Sequence, residues 1–143
     1  MRPLSKGIGQ YVMKVVLDSN RYTDFCRGVP GVVEVIENVA EIYVPIVVIA
    51  EQRAGFACGS SREKNERLLT KFLNNEGVYV LKPDEQTTFF YADLYAYLRK
   101  KGRPIPTNDL WIAAVTLQHN LVLFDRDSDF DNLPQLARIS LKS

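Results

Sequence analysis

Asp18, Glu51, Asp109 and the run Asp125, Asp127, Asp129 and Asp131 are the residues of this 143-residue chain whose types and spacing could do chemistry. Asp18 closes Val15–Leu17, an unbroken apolar run of the kind a strand covered on both faces carries. In open parallel sheets ligands bind outside the carboxyl ends of strands, which is where such a carboxylate falls. Asp125 closes a second apolar run, Leu121–Phe124, in the same way. Glu51 sits on a helical face shared with Val47 and Ala54, a face expected to be internal. Asp109 opens a helix apolar nearly all round, where an acid is also favoured by the helix dipole.

Four ionised carboxylates about 4 Å apart repel by about 1 kcal/mol per pair in water and about 4 at an effective dielectric of 20. Summed over every pair, that rivals a domain's stability of about 5 to 15 kcal/mol. A hard divalent cation resolves the conflict, and all-oxygen donors without His or Cys select Mg2+ or Mn2+ over zinc. His119 is alone, and Cys26 and Cys58 fit neither a zinc site nor a disulfide framework. Two other uses of DRDSDF fail. As a calcium loop it has Phe130 where the turn glycine belongs and Leu136 where the closing glutamate belongs. As the nucleophile motif of a haloacid-dehalogenase-like phosphatase it comes too late to leave a domain after it.

The elements that must position these acids alternate. After Asp18, helices are expected over Ser19–Arg27 and Gly31–Ala40, jointed at Gly28 and Pro30. A strand over Glu41–Val44 ends at Pro45, and a helix follows over Ile46–Ala57. Within it Gly55 costs about 1 kcal/mol of helix propensity relative to alanine, which close approach of another backbone would explain. A charged helix runs from Ser60 or Ser61 to Asn74, with Leu68, Leu69, Phe72 and Leu73 as its buried side. Gly77 leads into a strand over Val78–Leu81, and Pro83 and Asp84 open a long helix to Lys101. Its aromatics, Phe89, Phe90, Tyr91, Tyr95 and Tyr97, suit core or subunit contact. Thr107 and Asn108 read as the cap of the helix Asp109–His119, and Arg138–Leu141 as a last edge strand.

This order predicts a three-layer α/β/α domain around a central, mainly parallel twisted sheet of four to five strands. The length allows one domain, expected over residues 13–143, with residues 1–12 an N-terminal extension outside the core. The 18 basic and 17 acidic side chains leave +1, which names no partner. The longest apolar run, Ile42–Ala50, contains Pro45 and is too short to cross a bilayer, so no membrane partner is expected. Two unpatterned cysteines suit a reducing cytoplasm.

VVLDSN, VIAEQRAG, IPTNDLWIAA and LVLFDRDSDF are similar, in order and spacing, to the four acidic motifs of PIN-domain ribonucleases, and among these of the VapC-like toxins of toxin-antitoxin pairs. The resemblance runs from Met13 onward. It implies an Mg2+- or Mn2+-dependent endoribonuclease, with the acidic quartet on Asp18, Glu51, Asp109 and Asp127. Asp125 stands where the family usually has a hydroxyl residue, so Asp125 or Asp129 could share or replace the role of Asp127. Asp18 and Asp109 would be the principal ligands, with Glu51 and Asp127 completing the set or positioning its waters; Glu51 could instead act as general base. Ser19, Asn20, Thr107 and Asn108 border the site as candidates to orient ligands or hydrogen-bond phosphate, or serve only as caps and turns. Arg126, Lys100, Lys101 and Arg103 are candidates to hold the RNA backbone. The resemblance further implies a homodimer and a small VapB-like antitoxin. The alternatives are a catalytically silent PIN-like module that binds RNA or protein, and a PIN nuclease that is not a toxin.

Overall fold

The computed structural model describes residues 13–141, so the expected extension over residues 1–12 lies outside the described residues. The first strand, β1 (Lys14–Leu17), is followed by α1 (Ser19–Cys26), α2 (Pro30–Asn38), β2 (Glu41–Pro45), α3 (Ile46–Cys58), α4 (Arg62–Leu73) and β3 (Val78–Leu81). Then come α5 (Thr87–Lys101), α6 (Thr107–Gln118), β4 (Val122–Phe124), a 3-10 turn (Ser128–Asn132) and β5 (Arg138–Ile139).

The five strands form one sheet in the order β3-β2-β1-β4-β5, with every pairing parallel. The expected α/β class and strand count are therefore observed. Val15 lies opposite both Ile42 and Val122, and Leu17 opposite Phe124. Unbroken apolar runs are what strands covered on both faces require, and Val15, Val16, Leu17, Ile42, Leu123 and Phe124 are all buried. The chain builds outward from β1 through β2 to β3, then returns to lay β4 on the other side of β1. That reversal opens a crevice at the carboxyl ends of β1 and β4, the place where doubly wound sheets bind ligands.

α6 is the central helix its composition predicts: Ile112, Ala113, Ala114, Val115 and Thr116 are buried in succession, and the Thr116 hydroxyl donates to the Ile112 carbonyl at 2.7 Å. The small alanines allow close approach on both sides, while Phe130 and Leu133 beyond β4 are fully enclosed.

Several local expectations differ. Val48 and Ile49 are the buried residues of α3, Val47 and Glu51 are half-buried, and Ala54 is exposed, so the covered face is turned from the expected one. A side chain at Gly55 would meet nothing within 4 Å, so no backbone approach requires that glycine. Leu68 is 47% exposed on α4, leaving Leu69 and Phe72 to make its inner stripe. Phe72 packs edge-on to Tyr22 at 5.2 Å between ring centroids. α5 begins at Thr87 rather than at Pro83: Asp84 and Thr87 exchange hydrogen bonds, and Gln118 donates to Asp84 at 2.8 Å, holding a turn ahead of the helix. α6 begins at Thr107 with Pro106 as its capping residue and no side-chain cap, so Thr107 and Asn108 lie inside its first turn. Pro106 fixes φ at −57°, which already suits a helix entry. The edge strand stops at Ile139 instead of Leu141.

Candidate metal centre

Asp18 follows the last residue of β1 and is 4% exposed. Its backbone N–H donates to the Phe124 carbonyl at 3.1 Å, so the β1–β4 ladder continues to the residue that carries the acid. Burial pushes the Asp18 carboxyl up to about 7, opposed by the Ser19 N–H, with Glu51, Asp125 and Asp127 raising it further by their charge. Asp109, in the first turn of α6, is pushed up to about 8 by burial, then by Asp127, Asp18, Asp129 and Glu51. Residues far apart in the chain thus share one electrostatic pit.

The Asp109, Asp127 and Asp129 carboxylates each bring one oxygen within 4.8 Å of the others. Asp127 and Asp129 meet Asp109 because the turn after β4 is wound by its own side chains: Asp127 Oδ1 accepts from the Asp129 N–H at 2.9 Å and caps the 3-10 turn. Glu51 approaches from α3. Its Oε1 accepts from the Ser19 hydroxyl at 2.8 Å and its Oε2 from the Asn108 side-chain amide at 3.2 Å. Asn20 is half-buried in α1 beside Ser19, and Thr107 is exposed ahead of Asn108. The donor set is all carboxylate oxygen, the chemistry of a hard divalent cation. Asp125 is not among the converging carboxylates, though its charge reaches Asp18. Its side chain is wholly buried and faces Arg138 of β5, 2.7 Å away.

The PIN domain family model matches residues 15–136, from the first strand to the far side of the acidic turn. The chain belongs to the PIN domain family. This PIN domain is 30% identical over 122 residues to toxin FitB of Neisseria gonorrhoeae, covering 80% of this chain and 88% of the relative. It is 29% identical over 98 residues to ribonuclease VapC4 of Mycobacterium tuberculosis, covering 68% and 75%. Among solved structures it resembles VapBC2 of Rickettsia felis bound to a promoter DNA fragment, with a TM-score of 0.80 and 26% identity over 89% of this chain and 98% of the other. VapBC-1 of nontypeable Haemophilus influenzae gives 0.78 and 28%, over 89% and 97%. Among the described residues no helix is long and apolar enough to cross a membrane.

The basic candidates for RNA contact in this PIN domain divide in two. Arg126 donates to Asp24 at 2.9 and 3.3 Å, and Arg21 reaches the same carboxylate at 3.1 Å while stacking 5.0 Å over the Phe124 ring. Arg126 is thereby tied to α1 while its side chain stays 46% exposed. Lys100, Lys101 and Arg103 are exposed around the end of α5, with the Lys101 ammonium 5.6 Å over the Tyr97 ring.

Sequence reasoning missed Asp24, Arg21 and Arg138. An Arg-Asp pair at helical i, i+3 spacing, Arg21 and Asp24, was the available signal for the first two. For Arg138 there was none, because its partners lie on a turn whose winding local sequence does not state.

Proposed function

We propose that this PIN domain is a divalent-metal-dependent endoribonuclease and the toxin of a toxin-antitoxin pair. What supports it most is the convergence of Asp109, Asp127 and Asp129 beside Asp18 and Glu51, at the strand ends where the sheet order reverses. Relatives named ribonuclease VapC and toxin FitB support the substrate class and biological role.

Asp18, Asp109, Asp127 and Asp129 would hold Mg2+ or Mn2+, with Asp129 sharing the role first expected of Asp127. Bound, the ion supplies an acidified water and a counter-charge for the scissile phosphate. Asp18 and Asp109 must release their protons to serve as ligands, which couples the site to pH. Ser19 and Asn108 fix both oxygens of Glu51, so this carboxylate is presented to the site in one orientation. Glu51 then completes the ligand set or takes a proton from the attacking water. Lys100, Lys101 and Arg103, exposed around the end of α5, would meet the RNA backbone, with target choice resting on RNA shape and exposed bases. A VapB-like antitoxin and a homodimer complete the proposal, with the cytoplasm as the compartment of the RNA substrate. VapBC complexes among the solved structures support the antitoxin.

The test is cleavage of structured RNA by the purified protein in Mg2+ or Mn2+, with EDTA and Asp109→Asn as controls. Cleavage that requires the ion and is lost in the variant supports the proposal. Equal cleavage by the variant refutes the site, and RNA binding without cleavage or cation uptake makes the protein a silent PIN module.

A further inference from the structure

We infer that Arg138 is a positioning residue of the acidic site, holding Asp125 and the backbone of Asp127 so that the Asp127 and Asp129 carboxylates meet Asp109; this rests on the proposed metal centre. Asp125 is a buried carboxylate that adds negative charge to a pit already crowded with it, and its side chain is 0% exposed. An uncompensated charge there would be severely destabilising. Arg138 Nε donates to Asp125 Oδ1 at 2.9 Å and Nη2 to Oδ2 at 2.7 Å, the two-point fork that a guanidinium forms and an ammonium does not.

The remaining donors reach along the turn. Nη2 also donates to the Asp127 carbonyl at 3.2 Å, and Nη1 to Asp131 Oδ1 at 2.6 Å. Asp125 Oδ2 accepts from the Asp127 N–H at 3.0 Å, and Asp127 Oδ1 from the Asp129 N–H. A chain of contacts therefore runs from the edge strand to the two acids that face Asp109. Parallel pairing of β5 with β4, Leu123 opposite Arg138, sets where that chain begins. A neutral hydroxyl at position 125 could accept from the Asp127 N–H without needing a cation, so Arg138 is required because position 125 is an acid.

The test is Mn2+ affinity by calorimetry, with melting temperature in EDTA recorded for each protein. Arg138→Gln is expected to bind Mn2+ about 10- to 100-fold more weakly, the usual effect of losing a group that orients metal ligands. Arg138→Lys should fall between it and the wild type, and keeps the test readable if Arg138→Gln does not fold. The double variant Asp125→Thr/Arg138→Gln should recover affinity relative to Arg138→Gln alone. Wild-type affinity in Arg138→Gln or Arg138→Lys overturns the inference, as does a double variant that binds no better than Arg138→Gln. A wild-type protein that binds no Mn2+ overturns the proposed metal centre and this inference with it.

Discussion

The Ser19 hydroxyl donates to Glu51 Oε1 at 2.8 Å, joining the first turn of α1 to the middle of α3 across 32 residues. Ser19 follows Asp18 directly, so one dipeptide supplies both a buried acid and the donor that aims a second acid. Removing that donor with Ser19→Ala should lower RNA cleavage while costing about 1 kcal/mol of stability, the usual net worth of such a bond. Glu51→Gln should reduce cleavage further, since the amide cannot serve as ligand or base. A Ser19→Ala protein with full activity would separate Glu51 orientation from catalysis.

Asp109→Asn is expected to lower cleavage by about two orders of magnitude or more without unfolding the protein. Asn keeps the shape of the side chain and removes a charge that burial and four neighbouring acids oppose. Its melting temperature in EDTA at neutral pH should equal or exceed that of the wild type, a combination that a purely structural Asp109 would not give.

Stability of the metal-free protein should fall as pH rises. Asp18 and Asp109 have an ordinary value of 3.8 and are raised to about 7 and about 8 in the fold. The folded state therefore binds more protons than the unfolded state between those limits, and the stabilisation present at low pH is lost as pH passes through the folded values. Melting in EDTA should drop by about 5 °C or more between about pH 5 and about pH 9, and less in Asp109→Asn. Mn2+ at 100 times its dissociation constant should restore about 2.7 kcal/mol, with proton release on binding at acidic pH. A flat melting profile from pH 5 to 9 would contradict the buried-acid pit.

The two sets of basic residues should behave differently. Asp24→Ala leaves Arg21 nearly buried beside Arg126 without their shared carboxylate, at a cost of about 3 kcal/mol. Alanine at Lys100, Lys101 or Arg103 should leave melting unchanged, raise KM for RNA and shallow its salt dependence. Filter binding over a salt series, beside thermal melts, checks both.

The sequence by itself determined the alternation of strands and helices, the parallel class and the acids. Buried parallel strands and a central helix write their burial directly into unbroken apolar runs, as in Val15–Leu17 and Ile112–Val115. Asp18 and Asp125 each end such a run, Glu51 interrupts an apolar helical face and Asp109 opens a buried helix, whereas Asp127 was singled out by the resemblance to PIN-domain ribonucleases. Only the tertiary structure decided which face of α3 is covered, since a helix with apolar residues on several faces, such as Val47, Val48, Ile49 and Ala54, does not state which of them its neighbours will cover. It alone set the roles along Asp125–Asp131, where closely spaced acids point to different partners: Asp125 to Arg138, Asp127 and Asp129 to Asp109. That turn is capped by its own Asp127 side chain and bonded to Arg138 of the edge strand, and periodicity carries no record of contacts between side chains that meet only on folding.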